Sequence, residues 1–194
     1  MSHVRAFQLP RLILVVFACL FGLGSCIRMV AVQPEPPSPL KGTTSIAIAF
    51  DYNDLVVEGT PKDQWIKTKT EKDPEYPKTW KDLTAGLESN FVRGFRGRWT
   101  SLTLVPEGQA VPTDGAVLVV SVRALDMGHY IPFATTKTKV DTVLNWSVAG
   151  AIAHQNDKSA DFKPSLRTPS VFQHLKVVGE ELGEAAGRFL RSKA

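Results

Sequence analysis

The chain has 194 residues and a formal charge of +4, from 23 Lys and Arg against 19 Asp and Glu. That imbalance is too small to argue for nucleic-acid binding, so no nucleic-acid partner is expected. A hydrophobic content of 43 % over this length allows one sizeable core and is short for two.

The first element is the apolar run LILVVFACLFGLG, Leu12 to Gly24, with Arg5 and Arg11 before it and Arg28 after it. That is the order of a positive n-region, an apolar h-region and a small-residue end. A membrane-crossing helix needs roughly 20 consecutive apolar residues. This run starts after Pro10 and is loosened by Gly22 and Gly24, so it falls short. A retained anchor helix is the alternative reading.

The run closes on Leu23-Gly24-Ser25-Cys26: an apolar residue, two small ones and a thiol. This resembles the lipobox of Gram-negative bacterial lipoproteins. The resemblance implies that residues 1–25 are a signal peptide cleaved after Ser25. It further implies a thioether-linked lipid on Cys26, with acylation of the freed amine. Two or three acyl chains anchor a protein firmly where one does so marginally. Two rivals stand beside it. One is an ordinary cleaved signal with a cysteine nearby. The other is lipidation of Cys19, where Phe17 occupies a place that wants a small residue. Ile27 follows Cys26. An aspartate there would be the usual inner-membrane retention signal, so its absence implies sorting to the outer membrane.

Removing residues 1–25 removes Arg5, Arg11 and no acid, leaving 21 basic against 19 acidic residues, a charge of +2. It also removes Cys19, so the remaining chain has no second cysteine for a disulfide. Residues 26–40 read as lipid anchor and spacer, because VQPEPPSPL (Val32 to Leu40) holds four prolines. Such a segment is extended and stiff.

Residues 41–194 read as a single domain. TTSIAIAF alternates Ile46, Ile48 and Phe50 with Ala47 and Ala49, the pattern of a strand. From Asp51 to Tyr76 the chain is polar and lysine-rich, with Trp65-Ile66 an apolar island. Thr79 and Asp82 offer a capping-box-like helix start. Trp80, Leu83, Leu87, Phe91 and Phe95 then form one amphipathic face, ending near Gly94 and Gly97. Leu102 to Val105 is a short strand, and PEGQAVPTDG is a turn-rich link. Ala116 to Leu125 is the strongest strand, and Val140 to Val148 alternates as another. A polar loop follows. Thr168-Pro169 opens a closing helix whose face is Phe172, Leu175, Val178, Leu182, Ala186 and Phe189. The fold class expected is α+β: a two-layer sandwich in β-α-β-β-β-α order, with a mostly antiparallel sheet and two helices on one face.

The motifs of zinc peptidases, thiol redox sites, nucleophile elbows, P-loops and dinucleotide folds are missing from the sequence. Asp51-Tyr52-Asn53-Asp54 starts like a calcium loop but has Val56 where glycine is needed and Lys62 where glutamate is needed. No catalytic residue, metal ligand or cofactor is therefore expected, the lipid on Cys26 aside. Two stretches stand out as candidate sites. Arg93, Arg96 and Arg98, interleaved with Phe95 and Trp99, are a candidate anion patch for lipopolysaccharide phosphates or glycan carboxylates. The alternative is that these cations complement a helix C-terminus while the aromatics enter the core. Tyr130, Ile131 and Phe133, between the two best strands, are a candidate partner surface, since exposed apolar clusters usually meet something. The alternative there is strands that run further and bury them.

The order of strand, lysine-rich excursion, helix, strands and closing helix resembles small envelope lipoproteins of uncharacterised families. Their fold is similar to the TolB amino-terminal domain and the curli-secretion lipoprotein. The resemblance defines no catalytic residue. It implies a non-enzymatic, periplasm-facing outer-membrane lipoprotein that binds or scaffolds an envelope protein or glycan. An envelope hydrolase or transferase and a glycan- or lipopolysaccharide-binding module are the alternatives.

Overall fold

The computed structural model describes residues 37–99, 101–129, 135–165 and 170–194. Cys26 and the segment around it therefore lie outside the described residues, as do Tyr130, Ile131, Phe133 and Thr168-Pro169. Pro37–Ala194 forms one compact unit. Its first residues are already packed: Leu40 is fully buried, and the Ser38 hydroxyl meets His154 Nε2 at 3.2 Å.

The elements are β1 (Ile46–Asp51), β2 (Val56–Val57), β3 (Thr60–Pro61), α1 (Lys62–Thr70), α2 (Tyr76–Arg96), β4 (Leu102–Leu104), β5 (Ala116–Asp126), β6 (Thr138–Val148), β7 (Ala151–Phe162) and α3 (Val171–Lys193). Seven strands make one mixed sheet. β1 runs parallel to β4 and β5, and β2 runs parallel to β5. The longest ladders, β5–β6 and β6–β7, are antiparallel. The six expected elements are all present within the α+β sandwich, and four more are inserted among them.

Three of the four, β2, β3 and β7, come from paired left-handed turns. Ala149 (φ 49°) and Gly150 (φ 77°) join β6 to β7, and Glu58 (φ 47°) and Gly59 (φ 77°) join β2 to β3. Two successive positive φ values give a tight turn whose twist suits a hairpin. β7 thus replaces the polar loop expected after β6. Its sequence, AIAHQNDKSADF, hides this because an edge strand needs few β-formers and gains from charge. α1 lies in the lysine-rich excursion and has no fully buried residue. It is fastened by Trp65, whose Nε1–H donates to the Tyr76 hydroxyl at 3.0 Å while the Lys69 ammonium sits 4.3 Å over its ring.

α2 begins earlier than Thr79, at Tyr76 with Pro77 in its first turn, and no side chain caps it. The fixed φ of a first-turn proline suits that start. The helix ends where the sequence places its end, at Arg96 with Gly97 as C-cap, and Gly94 lies inside its last turn. The expected apolar face is buried throughout, from Trp80 to Phe95. In α3, Leu175, Val178, Leu182, Ala186 and Leu190 are buried, and Phe189 packs at the margin with its ring 5.2 Å from Trp146.

The two helices run parallel and meet backbone to backbone. Gly179 faces the Leu87 carbonyl, Gly183 that of Phe91 and Gly187 that of Phe95. A Cβ at Gly183 would stand 2.0 Å from the Phe91 oxygen, and one at Gly94 would stand 2.1 Å from the Glu180 oxygen. Glycines four apart on one helix permit this approach, as in other small-residue helix seams. Beneath the seam, Ile48, Leu118, Val120, Leu144 and Trp146 form the sheet side of the core. The other sheet face carries mixed rows of small, polar and β-branched residues, such as Ala49–Val119–Asn145 and Asp51–Ser121–Val143.

Candidate functional site

Of the three patch arginines, two are engaged by α3. Arg93 pairs with Glu180, and Arg98 pairs with Glu184 at 3.1 Å. The Arg98 hydrogen bond and charge, supplemented by Arg188 at 3.0 Å, hold the Glu184 carboxyl below its ordinary value. Arg96 is exposed at the last turn of α2 and pairs with no carboxylate among the described residues. Phe95 is fully buried and Trp99 partly so.

Just beyond α2, Arg96, Arg98 and Arg191 come together around a cleft of ≈ 430 Å³ that Thr43, Thr44 and Ser101 also line. Arg191, from the last turn of α3, donates from Nη2 to the Arg98 carbonyl at 2.6 Å. Sequence reading found Arg96 and Arg98 but missed Arg191 and the hydroxyls. Only the parallel run of α2 and α3, which brings both C-terminal ends to one place, joins them. The glycine spacing Gly179, Gly183, Gly187 was the available signal.

A second groove, of ≈ 890 Å³, opens along α2 from Thr79 to Arg93 beside the first turns of α3, lined by Asp82, Ser89, Asn90, Arg93, Phe172 and Lys176. Several of its polar groups are already engaged: Asn90 Nδ2 donates to the Gly86 carbonyl at 2.7 Å, and the Lys176 ammonium lies 4.3 Å over Phe172.

The titratable residues elsewhere are dispersed. The Tyr52 hydroxyl donates to Glu88 at 3.0 Å. Burial, with the Glu88 charge beside it, pushes the phenol well up. Burial also raises the Glu88 carboxyl against the opposing effect of that hydrogen bond. Burial pushes Asp141 up, but hydrogen bonds from Lys139 and Ser159 outweigh it and hold the carboxyl below its ordinary value. His174 is fully buried. The Thr138 hydroxyl donates to the Met127 carbonyl at 2.6 Å, so His174 Nδ1–H must be the donor to that hydroxyl at 2.9 Å. His129 and His154 lie in other elements. No group of three His, Cys, Asp or Glu side chains placed to hold a metal occurs among the described residues. Nor is any described helix long and apolar enough to cross a membrane.

The candidate partner surface lies between β5 and β6. β5 and β6 stay paired out to the bridge between His129 and Thr136, and residues 130–134 lie outside the described residues. Gly128 at the base of this connection has φ 59°, and a Cβ there would meet the Thr138 nitrogen at 2.3 Å.

No protein-family model matches the chain, and no curated protein matches it. Solved structures do show likenesses. The PelC dodecamer from Paraburkholderia phytofirmans is similar at 8 % identity and TM-score 0.40, over 77 % of this chain and 91 % of that one. A Xanthomonas campestris protein of family DUF330 is similar at 11 % identity and TM-score 0.40, over 82 % and 89 %. A minor lipoprotein from Acinetobacter baumannii is similar at 12 % identity and TM-score 0.34, over 75 % and 92 %. Values of this size define no family for the chain.

Proposed function

We propose that the protein is a non-enzymatic lipoprotein of the outer membrane, held by lipid on Cys26 and facing the periplasm. There its folded unit binds or scaffolds another envelope component. The observation that carries this reading is the run Leu23-Gly24-Ser25-Cys26 at the end of the apolar segment, followed by the proline-rich stretch that leads into the packed unit from Pro37. Lipid, spacer and folded unit then follow in the order an anchored protein needs. Residues 1–25 act as the signal peptide, and Ile27 directs the product to the outer membrane. Tyr130, Ile131 and Phe133 are the proposed contact with a protein partner.

The test is metabolic labelling with a radioactive fatty acid in a Gram-negative host. Wild-type protein should take the label and fractionate with the outer membrane. Cys26→Ser should lose the label, and Ile27→Asp should move the protein to the inner membrane. Label that persists in Cys26→Ser and disappears in Cys19→Ser would overturn the assignment.

A further inference from the structure

The geometry points to a phosphate-binding cleft where the C-terminal ends of α2 and α3 converge, independent of how the chain is anchored. Its lining is rich in donors: Arg96, Arg98 and Arg191 with the hydroxyls of Thr43, Thr44 and Ser101. No carboxylate lines it among the described residues. Glu184 offsets Arg98, while Arg96 and Arg191 pair with no carboxylate among the described residues. Two uncompensated charges face the cleft, which matches the charge of about −1.5 to −2 on a phosphate monoester at neutral pH.

Helix C-termini ordinarily repel anions, but several of the carbonyls at these two are already occupied. Gly97, Arg98 and Trp99 N–H groups take the Arg93 and Phe95 oxygens. The Arg191 guanidinium takes the Arg98 oxygen, and the Ala194 N–H takes that of Leu190. The bond to Arg98 fixes Arg191 in place and leaves its other N–H groups for a ligand. Trp99 lines the same cleft, and its Nε1–H is shielded from solvent with no acceptor among the described residues. The tetrahedral oxygens of a phosphate group can serve two guanidinium forks and the hydroxyls together. A planar carboxylate matches one fork.

The experiment is calorimetric titration of the full chain in neutral detergent with inorganic phosphate, for which saturable binding is expected. Arg96→Gln and Arg191→Gln should each weaken it by about tenfold or more, the usual effect of losing a charged hydrogen bond. Arg93→Gln makes the same charge change outside the cleft and should stay within about twofold of wild type, because exposed charges at a distance are screened. Acetate should not compete. Phosphatidylcholine vesicles with and without phosphatidic acid distinguish the source. Competition by the phosphatidic acid assigns the site to a lipid headgroup, and phosphate binding without that competition assigns it to a soluble phosphate compound. Circular dichroism checks that each variant is folded. The proposal is overturned by an absence of saturable phosphate binding, by binding that survives either cleft substitution, by equal weakening in Arg93→Gln, or by acetate competing as well as phosphate.

Discussion

The α2–α3 seam and the β6–β7 ribbon hold the same domain together by opposite means. Along the seam, carbonyl oxygens of one helix lie where the other has glycine, and a single added methyl group has nowhere to go at Gly183 or Gly94. Along the ribbon, eleven paired positions share the load, and the outer strand turns exposed polar side chains to solvent. Lys137 and Lys139 bind Asp161 and Asp141 at 2.9 and 2.8 Å beside that edge. Ile152 stands 72 % exposed with no evident cost. Charge on an edge strand also discourages pairing with another chain. The seam gains closeness by giving up side chains, whereas the ribbon keeps its side chains and gives up density.

The sharpest way to break this contrast is Gly183→Ala, which forces the helices apart. It should cost about 3 kcal/mol or more, at the upper end of overpacking effects, of a net stability of about 5–15 kcal/mol. A chemical denaturation midpoint close to wild type would show that the seam is looser than described. Next comes Leu182→Ala, which empties a site only 2 % exposed and should cost about 2–5 kcal/mol. Its exposed neighbour Glu181 should change stability by less than about 0.5 kcal/mol when replaced by Ala. Equal unfolding of the two variants would mean that α3 does not pack as described.

A smaller effect depends on pH. The folded state raises the Glu88 carboxyl above its ordinary value of 4.5, chiefly through burial. The folded chain therefore holds that proton more tightly than the unfolded chain does. This contribution is complete below the ordinary value and is lost as pH rises through the raised one. Glu88→Gln should flatten that part of the stability–pH curve, which denaturation at a series of pH values would detect. The smallest effect belongs to the ribbon. Ala149 adopts a left-handed conformation that costs a non-glycine residue about 1–2 kcal/mol. Ala149→Gly should recover a part of that, and a loss of stability instead would mean that the turn is held by something other than its backbone.

The core was the most legible part of the fold. Five apolar residues of α2, the alternation in β1 and β6 and the apolar run of β5 announced themselves because burial leaves a trace in the sequence. What escaped had no such trace. β7 is legible only through Ala149-Gly150, a two-residue turn signal carried by an alanine that rarely fills that role. α1 is polar all round and hangs on Trp65. Gly97 does close α2, but nothing in α2 alone says that another helix will press against Gly94, three residues earlier. The candidate cleft was half visible: Arg96 and Arg98 stand beside each other in sequence, but Arg191 joins them only through the parallel packing of two helices.

The proposed anchor is a lipid on Cys26, and the most direct measurement is mass spectrometry of the amino-terminal peptide of the protein purified from membranes. The expected peptide begins at Cys26 and carries the mass of a diacylglyceryl group, with a further acyl chain on its amine. An unmodified Cys26, or a peptide that still contains Ser25, would contradict the lipid anchor and the envelope function built on it.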